Sequence, residues 1–211
     1  NLNPSYLKMK TEHQQLLKLA QQSPLLRDAM LREVGISSTV ISQAVKAGEL
    51  IRLSRGVYHH PDAELDENLS LSEVAARVPQ AVTCLLSALQ FHQIGTQQAH
   101  AVWILLKQNA VTPRMDYPPI EVVRSKIEGA FTEGVETHTL NGIDVQITNR
   151  ARTVVDCFKY RNRVGLDICL EALKDVLSSK APHKTNASQI MEYAKNQRVS
   201  SVIRPYLDAL V

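Results

Sequence analysis

The residues whose types and spacing best suit a chemical task lie between Ser37 and Arg55. Ser37, Ser38, Thr39, Ser42, Gln43 and Lys46 fall on one side of a helix whose other side would carry Val40, Ile41, Ala44 and Val45. Gln can pair bidentately with adenine, Ser and Thr hydroxyls can bond base edges or phosphate, and Lys neutralises phosphate. None of the six is aromatic or bulky, so such a helix can approach a duplex closely. Arg52 and Arg55 follow at positions from which a hairpin would reach DNA backbone or minor groove. From Ser37 to His60 three bases, Lys46, Arg52 and Arg55, stand against one acid, Glu49. Taken singly, each residue could be no more than solvated surface, and Ser37 or Ser38 a helix N-cap. As a set they point to double-stranded DNA.

A second basic run, Arg150, Arg152, Lys159, Arg161 and Arg163, faces only Asp156 in the same stretch and forms a candidate second patch for nucleic acid or a partner. Its plainer reading is a solvated helix face, with Arg152 and Asp156 pairing across one turn. Enzymatic settings are scarce. No GxSxG nucleophile, phosphate loop or dinucleotide fingerprint occurs, so no catalytic residue and no cofactor is assigned. A metal-dependent nuclease needs clustered acids and a lysine, and its nearest approximation is Asp116, Glu121 and Lys126, whose order and spacing fit poorly. No metal site is expected. His59 and His60 are neighbours on a strand and point apart, and Cys84, Cys157 and Cys169 lack CxxC spacing and read as reduced core thiols.

Stepwise signals predict the elements that would hold these residues. A first amphipathic helix is expected from about Ser5 to Gln21, stopped by Ser23-Pro24, and a second from Leu25 to Val34. Gly35 supplies a C-cap, and a third helix runs from about Ile36 to Gly48. Leu50 to Leu53 and Val57 to His59, joined through Ser54-Arg55-Gly56, read as a tight hairpin. Helix, short turn, helix and hairpin in that order outline a winged helix-turn-helix. Residues 61–68, with the four acids Asp62, Glu64, Asp66 and Glu67 and no apolar period, mark a boundary. The expected division is residues 1–64 and 65–211.

The second part predicts helices at Ser70 to Val78 and Val82 to His92, and strands at Ala101 to Leu106 and Ile120 to Val123. A hairpin, Val135 to Leu140 and Ile143 to Thr148, turns on Asn141-Gly142. Helices at Arg152 to Tyr160, Leu166 to Ser178, Ala187 to Gln197 and Val202 to Leu210 close the chain. The fold class is therefore α+β, an N-terminal winged helix-turn-helix followed by a larger mixed α/β domain. The 211 residues, 44% hydrophobic and 21% charged with net charge +3, make an ordinary globular composition. The longest apolar stretch, Val82 to Leu89, is too short for a membrane span. The opening residues Asn-Leu-Asn-Pro-Ser carry no basic and apolar leader pattern. A cytoplasmic location without membrane contact is the expectation.

The phrase from Gly48 to Tyr58 resembles the wing of the AbiEi family of abortive-infection antitoxins. Downstream, Ser87-Ala88-Leu89, Val102-Trp103-Ile104, Gly142-Ile143-Asp144-Val145 and Arg152-Thr153-Val154-Val155-Asp156 resemble that family's carboxy-terminal domain in the same order. The resemblance implies a transcriptional repressor that is also the antitoxin of a type IV toxin-antitoxin pair. Its winged domain would bind inverted repeats in its own promoter, and its second domain would help to counteract a nucleotidyltransferase-like toxin, direct contact not being required. Carried over by position, Ser38, Thr39, Ser42, Gln43, Lys46, Arg52 and Arg55 become the DNA-contact candidates; the family supplies no catalytic residues. A stand-alone regulator without a toxin, a nuclease-like enzyme acting through Asp116 and Glu121, and an adaptor whose winged domain binds protein stay open as alternatives.

Overall fold

The computed structural model describes residues 4–180 and 185–210; the outer ends of the two expected domains, residues 1–3 and 211, and the span 181–184 lie outside the described residues. The chain forms two compact units. One holds the chain through Pro79 together with Thr139–Asp144, and the other holds Gln80–His138 together with the chain from Val145 onward. The boundary expected near residue 65 thus compares with one at Pro79, and the tip of the later hairpin is counted with the first unit.

In the first unit, α1 (Pro4–Gln22), α2 (Asp28–Glu33) and α3 (Ser38–Lys46) pack beside a three-stranded sheet of β1 (Leu26–Arg27), β2 (Ile51–Ser54) and β3 (Val57–His59), and α4 (Leu69–Arg77) follows. Leu16 and Ala20 of α1, Leu31 of α2, Val40, Ile41 and Ala44 of α3, and Leu26 and Leu50 beside them build one buried cluster. The helix expected from Leu25 to Val34 is split. Leu26 pairs with Tyr58 and Arg27 with Val57, so the chain stays extended across the hairpin before α2 begins at Asp28. A strand of two residues has no period to read. Gly35, at φ +85, takes the left-handed turn between α2 and α3 that a side chain would resist.

The second unit is built on a five-stranded mixed sheet in the order β6-β5-β4-β8-β7. Its members are β4 (Val82–Thr83), β5 (Val102–Lys107), β6 (Ile120–Ser125), β7 (Val135–Leu140) and β8 (Ile143–Thr148), with α5 (Leu85–Phe91) after β4 and a 3₁₀ turn at Glu128–Phe131 after β6. Strands β5 and β6 run parallel from Val102↔Ile120 to Lys107↔Ser125, and β4 is antiparallel to β5 but parallel to β8. Helices α6 (Arg150–Lys159), α7 (Arg161–Val164), α8 (Leu166–Ser178), α9 (Ala187–Asn196) and α10 (Ser200–Asp208) complete it. Here the helix expected from Val82 to His92 is present as α5 but starts only at Leu85, its first two residues pairing as β4, since a two-residue strand has no period to read. The class is mixed α+β, as expected. All three cysteines are buried and none is in a disulfide.

Helix α6 is the centre of this unit's core: Ala151 and Val154 through Phe158 are all buried. Its N-cap is Asn149, whose side chain accepts from the Arg152 amide at 2.9 Å. Arg152, fully buried, turns inward and donates to Asp156 Oδ1 at 2.9 Å and to the carbonyls of Glu133 and Ala130. Burial raises the Asp156 pKa, while the charge and hydrogen bond of Arg152 act against the rise. Gly134 stands close to this arginine: a Cβ there would lie 2.8 Å from Arg152 Cβ.

Candidate nucleic-acid interface

Helix α3 has two chemically distinct faces. Val40, Ile41 and Ala44 are buried and Val45 is half-buried, whereas Ser38, Thr39, Ser42, Gln43 and Lys46 are all exposed. Because residues three and four apart are neighbours on a helix, Ser38 with Ser42 and Thr39 with Gln43 and Lys46 form one continuous polar stripe. The burial of the opposite face fixes which side that stripe presents. Lys46 makes no ion pair among the described residues, so its ammonium is available to an external anion.

Ser37 differs from the others. It holds the N-cap position in extended backbone, with no capping bond from its own side chain. Its amide donates to Glu12 Oε2 of α1 at 3.0 Å, and its hydroxyl and amide together keep the Glu12 carboxyl below the usual carboxylate range. A carboxylate at the start of a helix also meets the positive end of the helix dipole. Ser37 and Glu12 therefore seat the stripe-bearing helix on α1. A second tie joins His13 Nε2 to Glu49 Oε2 at 2.7 Å, just beyond the C-terminal end of α3. Sequence reasoning missed both acid partners, since residues 25 and 36 positions apart give no periodic signal.

The hairpin β2–β3 carries Arg52 and Arg55 outward, both exposed. Arg52 Nε donates to the Ser54 carbonyl at 3.3 Å, and the register shifts between Arg52 and Ser54 at the turn. Arg55 makes no ion pair among the described residues. The helix stripe and the hairpin arginines are thus exposed features of one unit, stabilised by one core. His59 Nδ1 donates to the His60 carbonyl, and His60 Nδ1 accepts from the Asp62 amide.

The members of the second basic run each have partners within their own unit. Arg152 is inside the core, as above. Arg150 donates to the carbonyl of His92 and to Ser179 Oγ, Lys159 to Gln197 Oε1, and Arg161 to the Phe158 carbonyl. Arg163 pairs with Glu121 at 2.6 Å and sits 5.0 Å over the Trp103 ring. A count of charges along the chain could not see that α6 turns its arginine inward. Glu121 is thereby committed to Arg163, and among the described residues no three His, Cys, Asp or Glu side chains gather where they could hold a metal ion. No helix among them is long and apolar enough to cross a membrane.

Residues 14–58, the segment that holds α3 and the hairpin, match the family model described as "Transcriptional regulator, AbiEi antitoxin". That match supports a regulator's role for the segment. Among solved structures, the RV2827C protein from Mycobacterium tuberculosis is similar in fold, with a TM-score of 0.54 and 16% identity over 95% of this chain and 80% of that one. No curated protein matches.

Proposed function

We propose that this protein is a DNA-binding transcriptional repressor whose first unit is a winged helix-turn-helix, with α3 as recognition helix and the β2–β3 hairpin as wing. The observation that carries the reading is the polar stripe Ser38, Thr39, Ser42, Gln43 and Lys46, exposed opposite a buried apolar face and accompanied by the exposed Arg52 and Arg55. Gln43 and the hydroxyls address base edges; Lys46, Arg52 and Arg55 address phosphate or minor groove. Residues 1–64 form the DNA-binding part and residues 65–211 an antitoxin-type part. The match of residues 14–58 to AbiEi-type regulators supports extending the role: the protein represses its own promoter through inverted repeats and counteracts a nucleotidyltransferase-like toxin in a type IV pair. It acts in the cytoplasm, without catalysis.

The test is a gel shift with the full chain on its own upstream DNA, wild type against Gln43→Ala/Lys46→Ala. The wild type should form a specific complex that the variant loses by at least tenfold in affinity, since a bidentate base contact discriminates by about 1–3 kcal/mol. A wild type that fails to prefer its upstream DNA over unrelated duplex would refute the repressor reading.

A further inference from the structure

The second unit contains a cavity of about 690 Å³ that the DNA-binding reading does not use. Its walls bring together Phe91 and His92 from the end of α5, Arg150 from the start of α6, and Asp175, Ser179 and Lys180 from the end of α8. That volume lies within the usual range for small-molecule sites, and the wall combines aromatic surface with a few converging polar groups.

The polar groups have a definite arrangement. Arg150 is clamped on two sides, Nη1 donating to the His92 carbonyl at 2.5 Å and Nη2 to Ser179 Oγ at 3.2 Å. Its Nε is buried and has no hydrogen-bond partner among the described residues. A guanidinium clamped by one N–H on each Nη is pre-oriented and keeps a second N–H on each of those nitrogens for an incoming ligand; planar donor groups of this kind suit phosphate. Lys180 is exposed and adds a second positive charge on the same wall. The one acid, Asp175, is partly occupied, since its Oδ2 accepts from the Gly95 amide at 2.8 Å. Ser179 Oγ donates to the Asp175 carbonyl at 2.8 Å, which leaves its lone pairs to Arg150.

The aromatic wall is also built. Phe91 stacks edge-on against His92, and both lie in edge contact with His138. His92 Nε2 donates to the Thr148 carbonyl at 2.7 Å, which fixes the tautomer of the neutral ring and leaves Nδ1 as an acceptor. Burial holds the imidazole below its usual pKa, so this wall stays uncharged near neutrality. Beside it, Gln93 sits at φ +54 in the left-handed position that usually follows a helix and usually belongs to glycine. A non-glycine residue held in left-handed backbone beside a cavity is the kind of local strain that gathers at ligand sites.

We propose that this cavity binds a small phosphorylated ligand of nucleotide size, its phosphate held by Arg150 and Lys180 and its ring against Phe91 and His92. The phosphate meets two cations of fixed and flexible kind, and the ring meets an uncharged aromatic wall. Neither feature alone would select a nucleotide over inorganic phosphate or over an apolar ring; together they do.

Isothermal titration calorimetry of the full chain with AMP, adenosine and inorganic phosphate tests this. AMP should bind with a submillimolar Kd, and both adenosine and inorganic phosphate at least tenfold more weakly. Lys180→Gln should weaken AMP at least fivefold. Lys180 is exposed, so folding is not at stake in that variant; Arg150→Gln, checked for an unchanged far-UV spectrum, should weaken AMP at least tenfold. Phe91→Leu should bring AMP affinity down towards that of phosphate. Absence of heat with millimolar AMP, equal affinity for AMP and phosphate, or AMP binding untouched by both charge variants would each overturn the proposal.

Discussion

Arg152 shows how one side chain can change meaning between sequence and structure. By composition it belongs to a basic run, yet it is fully buried and bonded to Asp156 and to two carbonyls, of Ala130 and Glu133, in the connection between β6 and β7. The pairing of positions 152 and 156 across one turn was legible from spacing alone; the burial was not, because nothing local tells which face of an arginine-bearing helix meets the core. Removing one partner of a buried ion pair leaves an uncompensated charge and costs about 3–5 kcal/mol. Arg152→Ala should therefore destabilise the protein by about that amount in urea unfolding, and substitution of the exposed Arg163 by Ala should cost under about 1 kcal/mol. Equal effects of the two would contradict the assigned burial. His92 makes a pH-dependent counterpart. Burial depresses its pKa, so as pH falls through the ordinary histidine range the unfolded chain takes up a proton that the folded chain refuses. Stability is lost over the interval between the ordinary and the depressed value. In His92→Gln, which can keep the donor to Thr148, the fall in Tm from about pH 7 to about pH 5 should be shallower than in the wild type; parallel curves would show that His92 does not titrate this way.

At the scale of elements, the hairpin at Asn141-Gly142 was legible because the turn itself demands those residues: both have positive φ, +49 and +77. Its second role was not. Asn141 Nδ2 donates to Asp66 Oδ1 at 2.8 Å and to Ser72 Oγ at 3.1 Å, its Oδ1 accepts from the Asp66 amide, and its carbonyl accepts from the Leu25 amide. The turn is thus a bracket that ties the segment after β3 and the start of α4 to the segment before β1. Such long-range bonds leave no periodic trace. The same holds for the split helix at Leu26 and for β4, which exist because a partner strand is present and not because their own residues prefer extension. Asn141→Gly keeps the turn conformation while removing the side-chain bonds. The loss should be about 1–2 kcal/mol, the net worth of the bonds removed, because Asp66 is exposed and still accepts from the Asn68 amide, and Ser72 keeps the carbonyls of Asn68 and Leu140. Unfolding followed by urea denaturation measures it, and a change within about 0.5 kcal/mol, the size expected of an ordinary surface substitution, would mean the bracket is idle.

For the whole molecule the decisive quantity is where its charge resides. A net charge of +3 is small, and Arg152, Arg161 and Arg163 are bonded to carbonyls and carboxylates of their own unit. In the proposed repressor the salt dependence of DNA binding rests on the cations of the α3 and hairpin faces: Lys46 and Arg55, neither in an ion pair among the described residues, with Arg52 beside them. Each phosphate contact removed should lower the slope of log K against log salt by about 0.9. Arg52→Ala/Arg55→Ala should therefore flatten the slope by up to about 2 while retaining preference for the specific sequence, whereas Gln43→Ala should abolish preference and leave the slope nearly unchanged. Arg161→Ala/Arg163→Ala should alter neither, since both side chains are bonded within their own unit. If that last pair flattened the slope as strongly as the hairpin pair, phosphate would be meeting the second unit as well, and the division of labour argued from the exposed stripe of α3 would have to be redrawn.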